Sequence, residues 1–95
     1  MKRFSIITDN MTHCFICGTN KNIHKHECIH GNANRKLSIK YGLVVPLCGY
    51  HHNLSSEGVH LSPEKDRALK QIAQKAFEDK YSHEEYMRIF GKNYL

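Results

Sequence analysis

The sequence has no tryptophan, and aromatic residues make up only 9% of it, so a core built from large rings is not expected. No stretch approaches the ~20 consecutive apolar residues of a membrane span, and no membrane partner is expected. The basic start of the chain leads only into Phe4, Ser5, Ile6 and Ile7, too short an apolar run for a secretory signal. A reducing cytoplasm is therefore the expected compartment. Acid is also scarce, with 9 Asp and Glu against 14 Lys and Arg. That mild positive excess favours a polyanion such as nucleic acid, though weakly. The 95 residues suffice for one domain, spanning 1–95. So small a domain needs help for its core from disulfides, a metal or a partner.

What the sequence has in surplus is cysteine and histidine, 4 and 8 residues respectively. In a reducing compartment cysteine pairs usually bind metal rather than each other. Cys14 and Cys17 are separated by two residues, and Cys48 and His51 repeat that spacing about 30 residues later. Each pair supplies two ligands from one tight turn, which suits a tetrahedral structural Zn2+. Gly18 and Gly49 fit the compact backbone that such turns need. Cys28 is left over and reads as a small buried apolar residue.

Along the chain, residues 1–12 form an N-terminal arm in which Phe4–Thr8 is either a strand or an ordered tail. Ile23–Ile29 reads as a first strand, Gly31–Asn34 as a turn, and Lys36–Tyr41 as a loop or one helical turn. Leu43–Leu47 reads as a second strand, and Ser55–Gly58 as a surface turn. Ser62-Pro63-Glu64 starts a helix with a cap, a proline at its first position and an acid in its first turn. Leu69, Ile72, Ala73, Ala76 and Phe77 give that helix an apolar face. Ser82 and Glu85 form a capping-box pattern for a last helix that Gly91 closes. The chain is thus expected to be α+β, with two C-terminal helices in residues 62–95.

His26, His30, His52 and His60 are not needed by the zinc knuckle. A strand end facing a helix start across a zinc-stapled hairpin brings His26 and His52 together, and His60 folds back after a short turn. Imidazoles with open coordination positions make a site for a divalent ion that polarises a phosphate.

These motifs together resemble the HNH, or ββα-metal, endonuclease superfamily, and more closely the small HNH-like proteins of phages and prophages. The resemblance rests on Cys14–Gly18, His26–Lys36, Tyr41–His52, Gly58–His60 and the tail Ile89–Leu95, and covers about residues 12 to 95. It implies a zinc-stapled ββα-metal fold and hydrolysis of DNA phosphodiesters. Carried over residue by residue, His26, His52 and His60 take the positions of catalytic metal ligands, for Mg2+, Mn2+ or Ni2+. Glu27 stands where the family usually has its general-base histidine. A carboxylate with an ordinary pKa near ~4.3 is a weak base at neutral pH. Either Glu27 acts with a raised pKa, or it binds metal while His26 is the base, or the site only binds; His30 is a further candidate base. The family's Asn has no counterpart near Gly42 and Leu43, and Asn34 or Asn32 would substitute for it. Arg35 and Lys36 follow the site loop and would hold flanking phosphates. The resemblance implies DNA as partner, in the cytoplasm of a bacterial host, with a phage or host protein or a second copy of the chain as further candidates. The rival reading is a non-catalytic zinc module that binds nucleic acid or protein on the same scaffold.

Overall fold

The computed structural model of the chain describes residues 3–55 and 58–95. The turn expected at Ser55–Gly58 therefore falls partly outside the described residues, and so does the Asn32 side chain. The elements run β1 (Ile23–Glu27), α1 (Asn32–Tyr41), β2 (Val44–Cys48), α2 (Gly49–His52), a single 3-10 turn (Val59–Leu61), α3 (Pro63–Lys80) and α4 (His83–Phe90). β1 and β2 pair antiparallel, with Ile23 opposite Cys48 and Glu27 opposite Val44. The fold is α+β, as expected.

The largest departure lies between the strands. Asn32–Tyr41, expected as part of a turn and then a loop or one helical turn, is a ten-residue helix. Its inward face carries Ser38, whose hydroxyl accepts from the Ile29 N–H and donates to the Ile29 carbonyl. A polar residue thus occupies a fully buried position, which breaks the apolar periodicity that would mark a helix. The helix also starts at Gly31 without a side-chain cap. It ends at Gly42 in the left-handed region (φ 75°), where the backbone N–H returns to the Ile39 and Ser38 carbonyls.

Gly42 also anchors the arm. Phe4–Thr8 forms no strand; it is an ordered tail whose Ile6 N–H donates to the Gly42 carbonyl at 2.9 Å. A Cβ on Gly42 would stand 2.6 Å from Phe4 Cε2, so the arm packs where a side chain would be.

Both C-terminal helices begin as their caps dictate. Ser62 accepts from the Lys65 N–H, and Ser82 from the Glu85 N–H at 3.1 Å. On α3 the buried stripe is Leu69, Ala73 and Phe77 with Gln74; Ile72, expected on that face, is exposed. Gln74 is held inward by the C-terminal tail, donating to Asn93 Oδ1 at 2.7 Å and accepting from the Tyr94 N–H at 2.8 Å. The low aromatic content is misleading as well. Tyr41, Phe77, Tyr81, Tyr86 and Phe90 gather in one ring cluster, with Tyr86 and Phe90 stacked at 4.9 Å. Phe77, Tyr86 and Phe90 are buried, and full burial of a large apolar side chain contributes roughly 1.5–3 kcal/mol. This cluster joins α1, α3 and α4 and backs the sheet that carries the site.

Candidate functional site

Two clusters of metal-ligating side chains flank α2. The first unites a loop with the end of β2. Cys14 and Cys17 lie on a knuckle closed by the Gly18 N–H to the Cys14 carbonyl (2.9 Å) and the Cys14 N–H to the Thr19 carbonyl (2.7 Å). The Phe15 N–H donates to the Pro46 carbonyl at 2.7 Å and so fastens the knuckle to β2. Cys48 ends β2, and the first turn of α2 brings His51 back over it.

The four donor atoms all lie within 4.8 Å of one another. Cys17 Sγ is 3.8 Å from Cys48 Sγ, and His51 Nδ1 is 3.4 Å from Cys48 Sγ and 3.9 Å from Cys14 Sγ. Sulfurs ~2.3 Å from a tetrahedral zinc ion stand about 3.8 Å apart, so the donor set fits such an ion. Burial pushes the Cys14 thiol up, but backbone hydrogen bonds at Cys48, Cys17 and Ile16 outweigh it and bring it down to about 6. A thiolate is the form that ligates metal. None of the four cysteines is in a disulfide.

The second cluster is His26, His52 and His60, whose ring nitrogens also lie within 4.8 Å of one another. His26 comes from β1, His52 from the last turn of α2 and His60 from the 3-10 turn. His52 Nε2 and His60 Nε2 are 3.0 Å apart. The His26 ring sits edge-on to both, with centroids 5.3 and 5.1 Å away. His26 is buried, and its Nε2 has no hydrogen-bond partner among the described residues. A buried polar atom left unpaired is costly, and a bound cation is one way to satisfy it. His60 is exposed, so the cluster opens to solvent on that side.

Burial, then the neighbouring His52, His60 and His30, depress His26 to about 3. Burial, then His60, His24 and Arg35, depress His52 to about 4. Burial and His30 lower His60 as well. All three shifts favour the neutral ring, the form whose lone pair a metal requires.

The cluster lines a polar cleft of about 350 Å3 together with Arg3, Lys25, Glu27, His30, Arg35 and Asn53. The chain matches no family model, no curated protein and no solved structure.

The cleft brings together His26, Glu27, His30, Arg35, His52 and His60 from the sequence reading. Asn34, on the first turn of α1, and the exposed Lys36 are not among its lining residues. Cys28 is fully buried, and burial, with the charges of Asp66 and Glu27, pushes its thiol up. Four participants escaped sequence reasoning. Arg3 enters from the arm and binds Glu27 Oε2 at 3.0 Å. Asp66, at the start of α3, holds His30 Nε2 at 2.8 Å and Lys70 at 2.9 Å. Burial raises the Asp66 carboxyl, but those two partners outweigh it and hold it low. Asn53 lines the cleft just beyond α2. His24 touches His52, Nδ1 to Nδ1 at 2.8 Å. His24 alone had a readable signal, since it stands two residues before His26 on the same face of β1.

Proposed function

We propose that this chain is a metal-dependent endonuclease of the HNH type that hydrolyses DNA phosphodiester bonds, with a structural Zn2+ at Cys14, Cys17, Cys48 and His51. The observation that carries the reading is the buried Nε2 of His26, unpartnered among the described residues and set among histidines in a cleft that also holds arginines. His26, His52 and His60 would hold the divalent ion, Mg2+, Mn2+ or Ni2+. Such an ion would stabilise charge developing on the scissile phosphate. His52 Nε2 and His60 Nε2, 3.0 Å apart, are close enough to share one such ion.

The chain's own groups supply the rest. With Nε2 of His30 engaged by Asp66, its Nδ1 is left to accept a proton from an attacking water. Asp66 then stabilises the resulting charge and keeps the ring oriented. Arg35, on the first turns of α1, meets a phosphate at the cleft mouth.

Plasmid nicking tests the reading. Zinc-loaded protein with Mg2+, Mn2+ or Ni2+ should nick supercoiled DNA, and His26→Ala with full zinc content should not. Absence of cleavage with every ion at full zinc occupancy refutes it. The other reading, a zinc module that binds nucleic acid or protein without cutting, is favoured by the position of Asn34 away from the cleft lining.

A further inference from the structure

At the end of β1, Glu27 turns its side chain into the cleft and is only 10% exposed there. Its two carboxylate oxygens are divided between two arginines. Oε2 accepts from Arg3 Nε at 3.0 Å, and Oε1 lies 3.6 Å from Arg35 Nε. The two arginines arrive from separate parts of the chain, one from the arm docked on Gly42 and one from α1. Both contacts use Nε. Among the described residues, the Nη atoms of Arg3 and Arg35 make no hydrogen bond, and the two side chains are 37% and 58% exposed. One carboxylate against two guanidiniums leaves a surplus positive charge. The lining carboxylate thus organises cations toward an anionic ligand.

We infer that Glu27 is a positioning residue that splays the guanidiniums of Arg3 and Arg35 across the cleft mouth as a two-armed clamp for nucleic-acid phosphates beside the histidine cluster. The inference rests on the proposed nucleic-acid substrate, and it gives Glu27 a role other than proton acceptor. A guanidinium held at Nε keeps its outer edge ready for phosphate oxygens. Anchoring Arg3 by a hydrogen bond, and drawing Arg35 in by a longer ion pair, also lowers the entropy lost when the phosphate binds. Lys25 lines the same cleft, but its ammonium donates to the Met11 carbonyl at 2.8 Å. Lys36 lies outside the cleft and serves as the reference cation.

The test has a binding arm and a kinetic arm. Anisotropy of a labelled DNA duplex is followed against salt, with zinc-loaded protein and no other divalent ion. Arg3→Ala and Arg35→Ala should each weaken binding about tenfold and reduce the slope of log K against log salt by about 0.9, the value for one phosphate contact. Lys36→Ala should change neither by as much. Slopes equal to the parent in both arginine variants overturn the clamp. In the kinetic arm, Glu27→Gln should raise KM several-fold with kcat within about threefold and an unchanged pH profile. A kcat loss of 10²–10⁴ with KM unchanged is what removal of a general base gives, and it overturns the positioning role. If the parent cleaves no DNA, the hydrolytic reading fails while the salt slopes still decide the clamp. Arg35→Ala, at an exposed site, keeps the test decisive if Glu27→Gln lowers zinc content.

Discussion

Cys17→Ser separates a metal-stapled knuckle from a knuckle held by packing alone. Cys17 is exposed, whereas Cys14 and Cys48 are buried. Exchanging sulfur for oxygen at Cys17 removes almost no buried apolar area. Without a metal, such a surface change shifts stability by roughly 0.5 kcal/mol or less. With zinc bound, it removes one of four ligands from an interaction worth about 10–16 kcal/mol in small zinc domains. An even share is about 3 kcal/mol, a large fraction of the ~5–15 kcal/mol that holds a typical domain. For a domain of this size, that share lowers the melting temperature by at least ~12 °C. Thermal melts by circular dichroism, with one equivalent of zinc and with chelator, read the effect. Zinc-loaded Cys17→Ser should melt far below the parent, and chelator should bring the parent down at least as far. A Cys17→Ser melt within about 3 °C of the parent, or a parent indifferent to chelator, refutes the staple. Cys14→Ser cannot make this distinction, because its burial makes it costly in either case.

Acid should weaken the fold through His26. Its folded pKa of about 3 lies below the ordinary 6.5, so the unfolded chain takes up the proton first. Stability is full above pH 6.5 and declines as pH falls toward 3, by about 2 kcal/mol at pH 5. Because His52 and His60 are lowered as well, the parent loses more than this in total, and urea titrations at pH 7.5 and pH 5 should show a loss smaller by about 2 kcal/mol in His26→Gln than in the parent; equal losses contradict the assignment. Tyr86→Phe should stabilise the protein by about 1 kcal/mol in urea titrations. The Tyr86 hydroxyl is buried without a partner among the described residues, so removing it relieves a desolvation cost. A loss of stability would show that the hydroxyl is bonded. Gly42→Ala should dislodge the arm, since the new Cβ meets Phe4 in a left-handed backbone. It should be read as faster proteolysis within residues 3–8 and as loss of the Arg3 contribution to the salt slope.

Local signals made part of this molecule legible. Ser62 and Ser82 mark their helices because a cap acts within three residues of itself. The paired spacings of Cys14, Cys17, Cys48 and His51 show through because each tight turn encodes half a tetrahedron. α1 stayed hidden because its most buried residue, Ser38, is polar and spends its hydroxyl on the backbone at Ile29. The core was misjudged from composition: few rings suffice when Tyr41, Phe77, Tyr81, Tyr86 and Phe90 converge from three helices and a helix end. Arg3 and Asp66 were beyond reach for a different reason. Their partners Glu27 and His30 lie 24 and 36 residues away, so only the folded chain joins them.

The contact between His24 and His52 turns the cleft into its own reporter. A neutral imidazole carries one proton, and His52 faces two other rings, His24 through Nδ1 and His60 through Nε2. A cation drawing on Nε2 of His52 would fix that proton on Nδ1, from which it donates to His24 Nδ1. His24 must then keep its own proton on Nε2, where Asn22 Oδ1 stands 3.3 Å away to accept it. Occupancy would thereby be relayed as a choice of tautomer to His24, a ring outside the proposed ligand set. Nitrogen chemical shifts of His24 would register the cation even where the bound ion broadens the signals of its ligands.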